Sequence, residues 1–190
     1  MDTFDRILDL INTNLIYCLP AMILTLFILQ LLFRDRLQFK KAYLIIKWII
    51  IGYVIVNLFS FIIFIIINPE KSAFINRATG KYWFSYWFMI FSSLFLPFLL
   101  FYKKIGLKPL FLLFVSIMMK IGWYFERYII FLADYSIRQF DPEKESDWLT
   151  SPWSGFYLIW IQGVILALIL IGVIIIIERL ENKRILHNKD

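Results

Sequence analysis

Apolar residues fall in long, nearly unbroken stretches separated by short polar connections, and neither a strand-like alternation nor a soluble-helix stripe governs them. Five stretches reach the roughly 20 residues that a helix needs to cross about 30 Å of hydrocarbon: 14–33, 42–68, 82–102, 109–133 and 154–177. The pattern therefore predicts an all-α integral membrane protein with five transmembrane helices in a single membrane domain, residues 1–190. Pro97 is expected to disturb the third span near its end, because proline removes a backbone donor and its ring crowds the preceding turn. Ser151-Pro152 is the expected start of the fifth span. Ahead of the first span, Phe4, Ile7, Leu8 and Ile11 recur at helical spacing with Asp2, Asp5, Arg6 and Asp9 between them, which predicts a short interfacial helix over residues 1–12. That segment is acidic, without the basic leader of a signal peptide, so the first apolar run is expected to be retained.

Lys and Arg in the connections set the orientation. One side holds eleven: Arg34, Arg36, Lys40 and Lys41, then Lys103, Lys104 and Lys108, then Arg179, Lys183, Arg184 and Lys189. The other holds six: Arg6, Lys71, Arg77, Lys81, Arg138 and Lys144. The N-terminus is accordingly expected outside and the C-terminus in the cytoplasm. Tyr82, Trp83, Tyr86, Trp87, Trp148 and Trp153 would form an aromatic belt on the outer side, where Asn76, Arg77, Trp83 and Trp87 are candidates for partner or lipid contact.

Composition narrows the chemistry. The 190 residues are 61% hydrophobic and 19% aromatic, and the mean hydropathy of +0.75 excludes an ordinary soluble domain. The formal charge of +6 is spread over short clusters and not gathered on one face, which argues against nucleic acid as a partner and for membrane lipids. With one cysteine, Cys18, and one histidine, His187, the chain has neither an internal disulfide nor an evident axial ligand for haem. No phosphate-binding glycine loop, zinc-spaced ligand set or nucleophile paired with a base is present in the sequence, so no catalytic residue and no metal site are expected.

Ionisable residues inside spans need a partner or a wet cavity, since each costs at least about 2.5–3.5 kcal/mol to insert. Lys47 lies close enough to a span end to snorkel. In the fourth span Lys120, Arg127 and Asp134 recur every seven residues, within about 40° of one another on a helix. Trp123 and Tyr124 flank that stripe as further candidates for partner or lipid contact, and Glu126 sits about 100° from Arg127, toward a different neighbour. A structural ion pair, a proton or ligand role, and contact with an anionic headgroup all remain open for these residues. Asn57, Ser60, Ser92, Ser93, Ser116 and Gln162 are expected to act as hydrogen-bonding glue between helices.

Two segments carry a family resemblance. The run Phe74-Ile75-Asn76-Arg77-Ala78-Thr79-Gly80-Lys81-Tyr82-Trp83-Phe84-Ser85-Tyr86-Trp87 and the run Ile121-Gly122-Trp123-Tyr124-Phe125-Glu126-Arg127-Tyr128-Ile129-Ile130 resemble NrfD/PsrC-like polytopic membrane subunits. Ile51-Gly52-Tyr53 and Ala21-Met22-Ile23-Leu24-Thr25-Leu26 are also similar, so the likeness follows the chain in order. In layout it is nearest the C-terminal half of the ActC type found in alternative complex III, a quinol-oxidising respiratory complex. The resemblance implies a four-helix bundle plus one helix in a bacterial cytoplasmic membrane, with other membrane subunits of a redox complex and an outer-face iron–sulfur protein as partners. It implies no cofactor bound by this chain alone, and quinone only at a subunit interface, because the family's quinol pocket lies mainly in a bundle this chain lacks. A small, non-catalytic subunit of a quinone-linked respiratory complex is the leading expectation. A transport or channel-like bundle with a polar path along the fourth span is the alternative.

Overall fold

The computed structural model of the chain describes the backbone of residues 2–33, 38–67, 74–137 and 142–187, and the side chains of these residues except 2–5, 9, 123–124, 126–156 and 182–187. Among the described residues every regular element is helical. The order is α1 (Asp2–Ile11), a π-helical turn (Asn12–Ile16), α2 (Leu19–Leu32), α3 (Phe39–Ile67), α4 (Phe74–Thr79), α5 (Trp83–Ile90), a second π-helical turn (Phe91–Phe95), a 3-10 helix (Leu96–Phe101), α6 (Pro109–Ile137) and α7 (Pro142–His187). Among the described residues four stretches are long and apolar enough to cross a membrane: Arg6–Leu32, Phe39–Ile67, Trp83–Phe101 and Tyr157–Glu181. The described part of α6 contributes a shorter apolar segment, Pro109–Gly122.

The chain divides into two compact units, one of Met1–Ile46 with Trp153–Asp190, the other of Lys47–Pro152. In the first, α1 passes into α2 through the π-helical turn. There the Tyr17 N–H bonds back five residues to the Asn12 carbonyl, and Cys18 N–H then bonds to Leu15. The cause lies just ahead: Pro20 has no N–H to offer the turn before it, and its ring cannot share space with the carbonyl four residues back. The helix widens and then tightens before α2 begins. On α7, Gly163, Ala167 and Ile174 are buried at spacings that place them on one face. A Cβ on Gly163 would stand 2.6 Å from Ala21 Cβ and 2.8 Å from the Cys18 carbonyl oxygen, so the α2 and α7 backbones approach closely there. Lipid tails are as apolar as leucine, and such small-residue contacts supply the packing that water exclusion cannot.

The second unit is built on aromatic packing. Tyr86, Ile90 and Leu94 form one buried line, covered by Leu58 and Phe61 of α3 and by Phe74 and Ala78 of α4. Pro97 disturbs the third apolar stretch as expected, but the irregularity begins earlier, at Phe91: the Leu96 N–H bonds back to the Phe91 carbonyl, and the chain then tightens to a 3-10 helix through Phe101. Gly122 of α6 faces this irregular segment. A Cβ there would overlap Ser92 Oγ and stand 3.2 Å from Met89 Cα. Phe88 and Phe125 meet edge to face at 5.3 Å beside it.

One boundary differs from the sequence expectation. The last long helix starts at Pro142, not at Ser151-Pro152, and runs 46 residues to His187. Asp141-Pro142-Glu143 offers the same kind of start signal ten residues sooner: proline in the first turn, with acid beside the positive end of the helix dipole.

Candidate functional site

The sequence points first to α6. Its described buried face runs Leu112, Val115, Ser116, Met119 and Gly122, the rows expected of a helix packed on one side. Lys120 lies at the edge of that face, half-buried, and engages in an interaction of its own. Residues 127 and 134 continue the backbone position of Lys120 at successive heptads, because the helix is unbroken from Pro109 to Ile137. Position 126 falls a heptad after Met119 and two after Leu112, the buried line of the helix. The side chains of Trp123, Tyr124, Glu126, Arg127 and Asp134 lie outside the described residues, as do those of Trp148 and Trp153. Among the described residues no group of three or more His, Cys, Asp or Glu gathers to hold a metal ion.

The second predicted cluster is better defined. The Arg77 guanidinium lies 4.7 Å from the centre of the Tyr86 ring. The Trp87 indole N–H donates to the Ala78 carbonyl at 3.1 Å, and Phe74 meets Tyr86 edge to face at 6.1 Å. Arg77 and Trp87 thus fasten α4 onto α5. Asn76 is exposed, and Trp83 is half exposed with Phe84 edge-on at 6.1 Å, so these two remain on the surface. Tyr86 is buried and is not part of an exposed aromatic belt.

The uncharged polar residues divide in a way the sequence did not anticipate. Among the described residues Ser60, Ser92, Ser93 and Ser116 do not bridge helices through their hydroxyls. Each donates to a carbonyl of its own helix, at Val56, Phe88, Met89 and Leu113 respectively. A hydroxyl satisfied this way can be buried without a partner helix. Gln162 does bridge: its amide donates to the Asn14 carbonyl at 3.0 Å and approaches Asn14 Oδ1 at 3.4 Å.

Two further ties were not foreseen. The Tyr43 hydroxyl donates to Gln30 Oε1 at 2.9 Å, and Lys41 Nζ pairs with Glu178 Oε1 at 3.2 Å. Each joins two helices, Gln30 to Tyr43 over 13 residues and Lys41 to Glu178 over 137, and the Gly163–Ala167 spacing, small residues four apart, is the signal that could have marked a packing seam on α7. Together these contacts fix helices; none of them brings a nucleophile, a base and an open cavity to one place.

Compared with protein-family models, with curated proteins and with solved structures, the chain has no match in any of the three.

Proposed function

We propose that the chain is a non-catalytic, multi-pass membrane subunit that works by associating with partner subunits in the bilayer, as part of a quinone-linked redox complex in a bacterial cytoplasmic membrane. The observation that carries the association is the bareness of its long helices. In the Phe39–Ile67 and Tyr157–Glu181 stretches only 17% of the most apolar window is buried within the chain. These surfaces require lipid or other helices around them. Five spans follow if α6 crosses as well, since its 29 residues extend about 44 Å. The Lys and Arg excess then puts the N-terminus outside. Redox membership rests on the resemblance of residues 74–87 and 121–130 alone. Quinone and an iron–sulfur protein enter only as partners at an interface.

Mass spectrometry of the assembly solubilised in mild detergent tests the reading. Co-purifying redox subunits support it. A homo-oligomer of this chain alone sinks it and favours a transport role for the Lys120, Arg127, Asp134 stripe. Single cysteines at Ile105 and Phe140, introduced after Cys18→Ala, test the topology by labelling. Residues on opposite faces of the membrane are expected, and the same face for both would overturn the five-span arrangement.

A further inference from the structure

The connection between the 3-10 helix and α6 is short, folded and strongly basic. Tyr102 accepts backbone bonds from Ile105 at 3.3 Å and Gly106 at 2.9 Å, and Lys108 N–H bonds to Ile105 at 3.0 Å. Gly106 makes the turn feasible, because a Cβ there would overlap the Leu100 carbonyl. This ordered turn holds Lys103, Lys104 and Lys108 exposed, beside the exposed rings of Phe101 and Tyr102. Trp48, 55% exposed, meets Phe101 edge to face at 6.2 Å. That contact brings the start of the second unit's part of α3 to the same end. Lys47, next to Trp48 and only 9% exposed, has its ammonium 6.0 Å from the Trp48 ring centre.

Lys103, Lys104 and Lys108 therefore gather at one end of this unit, with Lys47 about 12 Å inside the Phe39 end of α3, and no acidic side chain lies among the unit's described residues. In the sequence between Lys47 and Phe125 the sole acidic residue is Glu70. Glu126 lies about 25 Å along α6 from Pro109. The end of an apolar span is where the chain meets the headgroup layer, and ring side chains beside lysines suit that boundary.

We propose that Lys47, Lys103, Lys104 and Lys108, framed by Trp48 and Tyr102, form a binding site for the headgroup of an anionic phospholipid. The lysines supply the charge the phosphate needs, and the rings rest against the upper part of the acyl chains. The turn is already closed by its own backbone bonds, so little ordering is required on binding. The site rests on the membrane-spanning reading of the chain and is independent of the redox partner.

Native mass spectrometry of the full chain in detergent, titrated with phosphatidylglycerol or phosphatidylcholine, tests the site. Phosphatidylglycerol is expected to bind preferentially and to weaken as salt is raised. Lys103→Gln, Lys104→Gln and Lys108→Gln together are expected to lower its affinity on the order of 100-fold, about fivefold per lysine. The corresponding triple arginine variant is expected to keep it. Equal binding of phosphatidylcholine, unchanged binding by the glutamine variant, or displacement by millimolar inorganic phosphate would each overturn the headgroup site. Should the glutamine variant fold poorly, the salt titration of the parent chain decides, and salt-independent binding overturns the proposal. Carbonate extraction of the chain from vesicles would instead overturn the membrane-spanning reading, and the site with it.

Discussion

The two units meet the same physical problem with different chemistry. In lipid, apolar contact between helices has no water to exclude, so helices must hold together through close fit or through polar groups. The first unit uses both: α7 lies against α2 at Gly163, and side-chain bonds join different helical segments, Gln162 to Asn14 and Tyr43 to Gln30. In the second unit Ser85, Ser92, Ser93 and Ser116 spend their hydroxyls on their own helices, and the fit is left to rings and to Gly122. Similar polar residues thus do different work: the amide and phenol reach across, whereas the shorter serine side chain finds a carbonyl one turn back before it finds a neighbour.

Glycine substitution should expose the difference most sharply. A Cβ on Gly163 would stand 2.8 Å from a carbonyl oxygen and 3.1 Å from the Met22 nitrogen, both backbone atoms that cannot step aside. Gly163→Ala is therefore expected to cost about 2–3 kcal/mol of unfolding free energy, measured by reversible denaturation in mixed micelles. At Gly122 the first obstacle is Ser92 Oγ, which a χ1 rotation can move. Gly122→Ala should cost about 1–1.5 kcal/mol, and Ser92→Ala in the same chain should recover part of that loss, since Ser92 Cβ at 3.0 Å and Met89 Cα at 3.2 Å stay in place. The helix-propensity gain of about 1 kcal/mol applies to both sites and cancels in the comparison. A larger loss at Gly122 than at Gly163 would refute the distinction between a backbone contact and a rotatable one.

Gln162 tests the polar half of the contrast. Gln162→Leu keeps the approximate size of the side chain but deletes the donor to Asn14, and should cost about 1 kcal/mol, within the range found for hydrogen bonds between membrane helices. Asn14→Ala should cost less, because the shorter bond, 3.0 Å, ends on the Asn14 backbone carbonyl and survives the substitution. Equal losses would mean that the 3.4 Å side-chain contact dominates.

How much of this was legible in the sequence depends on the range of the interaction. Pro97 announces a broken third stretch because its chemistry acts within one turn. The π-helical turn before Pro20 has the same origin and could have been anticipated. The start of α7 was missed because Glu143, Lys144, Glu145 and Asp147 read as a polar loop, although charged residues of this kind are good helix formers behind an Asp-Pro start. The Lys120, Arg127, Asp134 spacing was legible as a stripe, since a continuous helix carries it. That position 126 instead shares the line of Leu112 and Met119 needed the burial of those residues. The Gly163 seam was half legible: small residues four apart mark a face, but nothing local says that Cys18, Ala21 and Met22 lie against it.

The smallest expected effect concerns Lys41 and Glu178, and its asymmetry is the useful part. The pair spans 3.2 Å with side chains 48% and 23% exposed, so solvent holds its worth below about 1 kcal/mol. Glu178 Oε1 is buried, and Lys41 is the partner found for it among the described residues. Removing the lysine leaves that oxygen without a counter-charge, whereas removing the carboxylate leaves a lysine that can turn to solvent. Lys41→Met should therefore cost about 0.5 kcal/mol and Glu178→Gln only a few tenths, with the difference shrinking in high salt. Both values fall well below the loss expected at Gly163, as they must if the first unit is fastened mainly by the fit of α7 on α2. A charge pair that outweighed the glycine contact would reverse that order and make electrostatics the principal tie.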